Sequence, residues 1–163
     1  MIYHIEERDA IRFVGLKFFV QTNIETGMPD PKTVSGFWDN LSKEDFEKLN
    51  SMSDSLPSSV VGVFGEKHDN GFDYWIAAAT TMPCPKDYAV VEIPATKWLV
   101  IQAKGPNPSA IQSAFRNVYI NYFPNSKKYT RCWDIYEIES FSDGDASAED
   151  YIAYGWVPIH EKN

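Results

Sequence analysis

Long apolar runs are missing from these 163 residues. None approaches the roughly 20 consecutive apolar residues that a membrane-spanning helix requires. The opening MIYHIEERDAIRF mixes charge with apolar residues from the start, unlike a secretory leader, so a cytoplasmic location is expected. Cysteine is scarce. Cys84 and Cys132 lie far apart and outside any CxxC pattern, so they are expected to be reduced, structural thiols. His4, His68 and His160 are scattered without ligand spacing, and spacing alone therefore predicts no metal site. Basic clusters are also lacking: none exceeds the pair Lys127-Lys128, and the net charge is −8. Direct nucleic-acid binding, which needs a basic stripe to neutralise phosphates, is not expected. Neither GxSxG nor a glycine-rich phosphate loop occurs, so no nucleophile elbow and no cofactor are indicated.

What the chain has in quantity is aromatic residues, at 15 %, including five Trp, nine Tyr and ten Phe. Some must be core. Trp and Tyr are also the residues that line pockets for flat or cationic ligands.

Periodicity predicts an α+β chain. Residues 2–8 and 11–21 read as strands. Asp30-Pro31 opens a helix whose one face carries Val34, Phe37, Trp38 and Leu41. Ser42 and Asp45 open a second helix, with Phe46 and Leu49 expected to face inward. Residues 60–64 and 72–80 are strands around the turn HDNG, and 88–93 and 96–104 form another strand pair around Pro94-Ala95. Pro106 and Pro108 introduce a helix with Ile111, Ala114, Phe115, Val118 and Tyr122 on one face, ended at Pro124. Residues 133–138 and 151–159 complete the strands around a polar loop at 141–150.

The same order of elements recurs in residues 2–80 and 88–159, a repeat of pattern rather than of letters. A single domain spanning 1–163 is expected, its two halves related by a pseudo-twofold axis with a ligand cavity on that axis.

The stretch 129–159 carries the candidate chemistry. Glu137 and Glu139, two apart on a predicted strand, share a face with Trp133 and Ile135. A carboxylate among aromatic rings pairs with a cationic ligand, or acts as a general acid or base when burial shifts its titration. Both glutamates fit a solvated sheet edge as well. Trp38, Tyr74, Trp75, Trp98 and Trp156 could line a cleft or fill a core; Tyr74 and Trp75 alternate, so they cannot both face the same side. Glu92 reads as a solvated strand charge or a second cleft carboxylate.

Ile138-Glu139-Ser140-Phe141-Ser142-Asp143-Gly144-Asp145 with Gly155-Trp156-Val157-Pro158-Ile159 resembles the C-terminal signature of the GyrI-like, or AraC-type effector-binding, domain family. Tyr122-Phe123-Pro124-Asn125-Ser126 with Tyr129, and Val91-Glu92-Ile93-Pro94-Ala95, resemble its helix end and mid-chain strand. Arg12-Phe13-Val14-Gly15-Leu16 and Phe72-Asp73-Tyr74-Trp75-Ile76 match more loosely, so the likeness spans nearly the whole chain.

The resemblance implies tandem strand–helix–strand–strand units, an antiparallel sheet with helices, and a central cleft. It implies binding of hydrophobic, often cationic drugs, as a sensing module of transcription regulators or as a stand-alone protein. The family's cleft glutamate maps onto Glu139, with Glu137 competing if the register slips by two. The following aromatic, usually Tyr, is Phe141 here, which offers no hydroxyl. The ligand-binding set is thus Glu139, Glu137, Trp133, Phe141, Trp38, Tyr74, Trp156 and Glu92. Two alternatives accompany sequestration or sensing. One is hydrolysis of electrophilic cyclopropane-type genotoxins by the same glutamate, as in some relatives. The other is a gyrase-inhibitor-like role with a protein partner.

Overall fold

The computed structural model describes residues 1–163. Its strands are β1 (Tyr3–Arg8), β2 (Ile11–Gln21), β3 (Val60–His68), β4 (Gly71–Ala79), β5 (Ala89–Ile93), β6 (Thr96–Lys104), β7 (Tyr129–Arg131), β8 (Glu137–Phe141) and β9 (Ile152–Glu161). The helices are α1 (Pro31–Asp39), α2 (Lys43–Met52), α3 (Ser109–Asn117) and the single turn α4 (Phe123–Asn125), with a π-helical turn at Val118–Tyr122 between the last two. The fold is α+β, as periodicity predicts, with the antiparallel pairing that the family resemblance implies.

Two compact units emerge, Arg12–Glu92 and Met1–Ile11 with Ile93–Asn163. In the first, the strand order is β3-β4-β2-β5. In the second it is β1-β6-β9-β8, with β7 also on β9. The expected halves, 2–80 and 88–159, therefore each give their opening strand to the other unit. The strand pair expected around Pro94-Ala95 is not a hairpin: β5 lies beside β2, while β6 pairs with β1 and β9.

In the Arg12–Glu92 unit, α1 starts as read, with the Asp30 carboxylate accepting from the Lys32 N–H and Pro31 in the first turn. Val34, Phe37, Trp38 and Leu41 pack on Val14, Val20, Tyr74, Ile76 and Ala78. Val34 and Leu41 are only half-buried there, so each contributes less than the roughly 1.5–3 kcal/mol of a fully buried aliphatic side chain. The α2 cap also forms, Ser42 Oγ accepting from the Asp45 N–H. Phe46, however, is 43 % exposed. The inward stripe of α2 is Asp45, Leu49 and Met52, and the Tyr88 hydroxyl donates to Asp45 at 2.8 Å. Phe46 lies one residue, about 100°, around from that stripe.

In the other unit, α3 and the π-turn place Ile111, Ala114, Phe115, Val118 and Tyr122 on one side of the sheet, against Leu99, Ile101, Ala103, Ala153, Val157 and Ile159. Of the strand expected at 133–138 only residues 137–138 are strand: the rest lies in a loop at 132–136 between β7 and β8, both of which pair with β9. Pro158 explains the break. Its carbonyl accepts from the Cys132 N–H at 2.9 Å, but proline has no N–H to return, so the ladder stops there. Trp133 and Ile135 consequently leave the strand on which spacing had aligned them with the glutamates.

Candidate functional site

Register decides which side chains share a face. Glu139 is opposite Gly155, which is opposite Ile101; Phe141 is opposite Ala153. These residues lie on the face covered by α3. Glu139 is only 6 % exposed. Its cross-strand partner is a glycine at a crowded spot: a Cβ on Gly155 would stand 2.9 Å from the Phe115 ring and 3.0 Å from Ile101, and these side chains would have to shift. The Glu139 carboxylate thus leaves a patch of sheet made of Gly155, Ala153, Val157 and Ile101 with an aromatic ring resting on it. Removing a carboxylate from water costs several kcal/mol unless opposite charge or hydrogen bonds compensate. Phe141 packs with Ala103, Ile111, Tyr151 and Ala153.

Glu137 begins β8 on the same face and is engaged differently. Its Oε1 accepts the Tyr119 hydroxyl, and Arg131 Nε lies 3.2 Å from the same oxygen and 3.1 Å from the Tyr119 oxygen. Arg131 also donates to the Cys132 carbonyl. Burial, with the Glu137 charge next to it, pushes the Tyr119 hydroxyl well above its usual range. Trp133, 66 % exposed, lies against this group, with its ring centre 5.1 Å from the Arg131 guanidinium and 6.1 Å from the Tyr119 ring. The π-turn at 118–122 carries Tyr119 into this cluster. The sequence pattern did not single out Tyr119 or Arg131, and gave Phe115 only as part of an apolar helix face: Tyr119 lies on the π-turn that continues α3, and the Arg131–Glu137 pairing spans a loop whose path has no periodic signal.

Trp156 falls on the opposite face. It pairs in register with Ile138 and Val100, so strand alternation separates it from Glu139. There its indole N–H donates to Ser140 Oγ at 2.9 Å, Arg8 stands 5.4 Å above its ring, and Trp98 meets it edge-on at 6.1 Å.

The remaining sequence candidates belong to the Arg12–Glu92 unit. The Trp38 indole donates to the Tyr74 hydroxyl at 2.8 Å. Tyr74 is fully buried on the helix-covered face, with Phe64 edge-on at 5.2 Å and Phe37 at 6.3 Å; Phe37 in turn stacks on Phe18 at 4.4 Å. This is an aromatic wall with one polar bond at its centre. Trp75 alternates to the far face, as period two requires, with Lys17 Nζ 5.7 Å from its ring. Glu92 is exposed on β5.

Comparisons with known proteins agree with this architecture. SAV2435, solved bound to tetraphenylphosphonium, superposes with a TM-score of 0.80 over 98 % of this chain and 94 % of its own, at 22 % identity. A putative transcription regulation protein from Staphylococcus aureus gives 0.78 at 22 % identity, over 98 % of both chains. An integron cassette protein of Vibrio cholerae gives 0.61 at 18 %, covering 97 % of this chain and 95 % of its own. At these identities the likeness speaks for the fold. A search of curated proteins finds no match. The family model of Cass2, the integron-associated effector binding protein, matches residues 4–159, and the chain belongs to that effector-binding family, in keeping with its GyrI-like signature.

Proposed function

We propose that this small-molecule-binding protein takes hydrophobic cations and that Glu139 supplies the countercharge. The observation that carries the reading is a carboxylate almost wholly withdrawn from water on an apolar, helix-covered patch of sheet. Such a group gains more from a nearby cation than an exposed glutamate does, because the interaction is weakly screened. Aromatic faces add about 0.5–2 kcal/mol each for a desolvated cation. Phe115 and Phe141 share one apolar cluster on that side of the sheet. Glu137 is assigned a positioning role, because Tyr119 and Arg131 already engage its charge. A structural neighbour carrying tetraphenylphosphonium supports the ligand class. Sensing or sequestration of such compounds follows as the biological use.

Titration with tetraphenylphosphonium and with neutral triphenylphosphine oxide tests this by calorimetry. The Glu139→Gln variant is expected to lose at least tenfold in affinity for the cation and to change little toward the neutral compound. Equal losses for both would overturn the charge-pairing role.

A further inference from the structure

We propose a second, separate site: Glu66, His68 and Asp73 bind a divalent metal ion, zinc above all. The three offer donor atoms that all lie within 4.8 Å of one another. His68 Nε2 and Asp73 Oδ1 are 3.1 Å apart. Zinc bonds of about 2.0–2.2 Å in tetrahedral geometry set neighbouring ligand atoms about 3.4 Å apart, so this pair stands near coordination distance already. Glu66 is exposed and closes the remaining gap by rotating its side chain.

The backbone is what brings the three together. Phe64 pairs with Tyr74, but Lys67 pairs with Phe72, so two residues of β3, Gly65 and Glu66, oppose Asp73 alone. Without this bulge, strand alternation would turn Glu66 to the helix-covered side with Phe72. With it, Glu66 and His68 emerge on the side of Asp73. Bulges re-aim side chains in this way at functional sites. Gly65 suits the bulge: a Cβ would press within 3.2 Å of the Asp73 Cβ and carbonyl oxygen and 3.1 Å of the Trp75 indole nitrogen, and these would have to give way.

Asp73 is the fixed ligand, 7 % exposed. Lys17 Nζ holds its Oδ2 at 3.5 Å, which leaves Oδ1 turned to the imidazole. The Phe19 ring, cross-strand from Asp73, lies 6.0 Å from the His68 ring and limits its swing. One imidazole and two carboxylates suit zinc and similar borderline ions, with a remaining position left to water or an outside ligand. Because the imidazole must be neutral to ligate, binding weakens on acidification. Lys17 is a built-in competitor for the carboxylate charge.

Equilibrium dialysis of the full chain against zinc, with the histidine ring protons followed by NMR, tests the site. One equivalent should bind, moving the His68 resonances and leaving those of His4 and His160 in place. His68→Gln, a change at a half-exposed hairpin position, should weaken binding at least tenfold; Lys17→Met should tighten it severalfold. Undiminished binding by His68→Gln, unmoved His68 resonances at saturation, or no binding below millimolar zinc would each overturn the proposal. Tetraphenylphosphonium affinity is a separate readout, so failure here leaves the Glu139 assignment standing, and the reverse holds.

Discussion

Asp73 on β4 and Glu139 on β8 are buried to nearly the same degree, yet their surroundings differ in kind. Asp73 lies on the sheet face away from the helices of its unit, and an ammonium and an imidazole of its own chain stand at its two oxygens. Glu139 lies on the helix-covered face of its unit, across from a glycine against which the Phe115 ring packs. Equal burial therefore does not mean equal chemistry. A carboxylate beside an imidazole is poised for a small, hard or borderline ion, and one on an apolar patch is poised for a large, greasy cation.

The largest expected effect is a double dissociation between these two residues. Glu139→Gln should cost tetraphenylphosphonium binding tenfold or more and leave zinc binding within twofold, whereas Asp73→Asn should do the opposite. Variants that impair both equally would mean that the two carboxylates are stability elements and not sites. Next in size, Gly155→Ala should destabilise the protein by about 1–3 kcal/mol in chemical denaturation, because the new methyl overpacks Phe115 and Ile101. The same change should also displace Phe115 and so weaken cation binding, with zinc binding unaffected.

Smallest is Tyr119→Phe. It removes the hydroxyl that Glu137 accepts, at a cost of about 1 kcal/mol near neutral pH. The sign of its pH effect follows from the raised titration of Tyr119. The folded state favours the protonated phenol, so that stability is present below the unfolded value of about 10 and is lost as pH rises above it. Melting curves above pH 10 should therefore fall less steeply for the phenylalanine variant. An unchanged alkaline slope would show that Tyr119 does not couple to folding.

Much of the proposed site was legible one strand at a time. The Glu139 assignment came from the IESFSDGD signature. The Tyr74/Trp75 alternation was readable because the segment is an uninterrupted strand. Trp133 was not, because Pro158, on a strand more than twenty residues later, ends the ladder and releases 132–136 as a loop. Trp156 carries an aromatic side chain in the right motif, but its face depends on register against β8 and β6. The proposed metal ligands escaped for a similar reason: Glu66 and His68 lie two apart on one strand, but the third ligand, Asp73, reaches them across the hairpin through a bulge that no residue count predicts.

By itself, then, the sequence determined most of the elements, 129–138 apart: which stretches are helix or strand, where Asp30 and Ser42 cap, and which aromatic and acidic residues could carry chemistry. These follow from local physics, since propensity, capping and two- or 3.6-residue periodicity act within a few neighbours. Tertiary structure alone decided which strand lies beside which, so that β1 and β5 each left the half in which they were made. It also brought Glu137 to Tyr119 and Arg131, and set Glu139 across from Gly155. Register and bulges set these outcomes through contacts between residues distant in the chain, and one residue of slip sends every side chain beyond it to the opposite face.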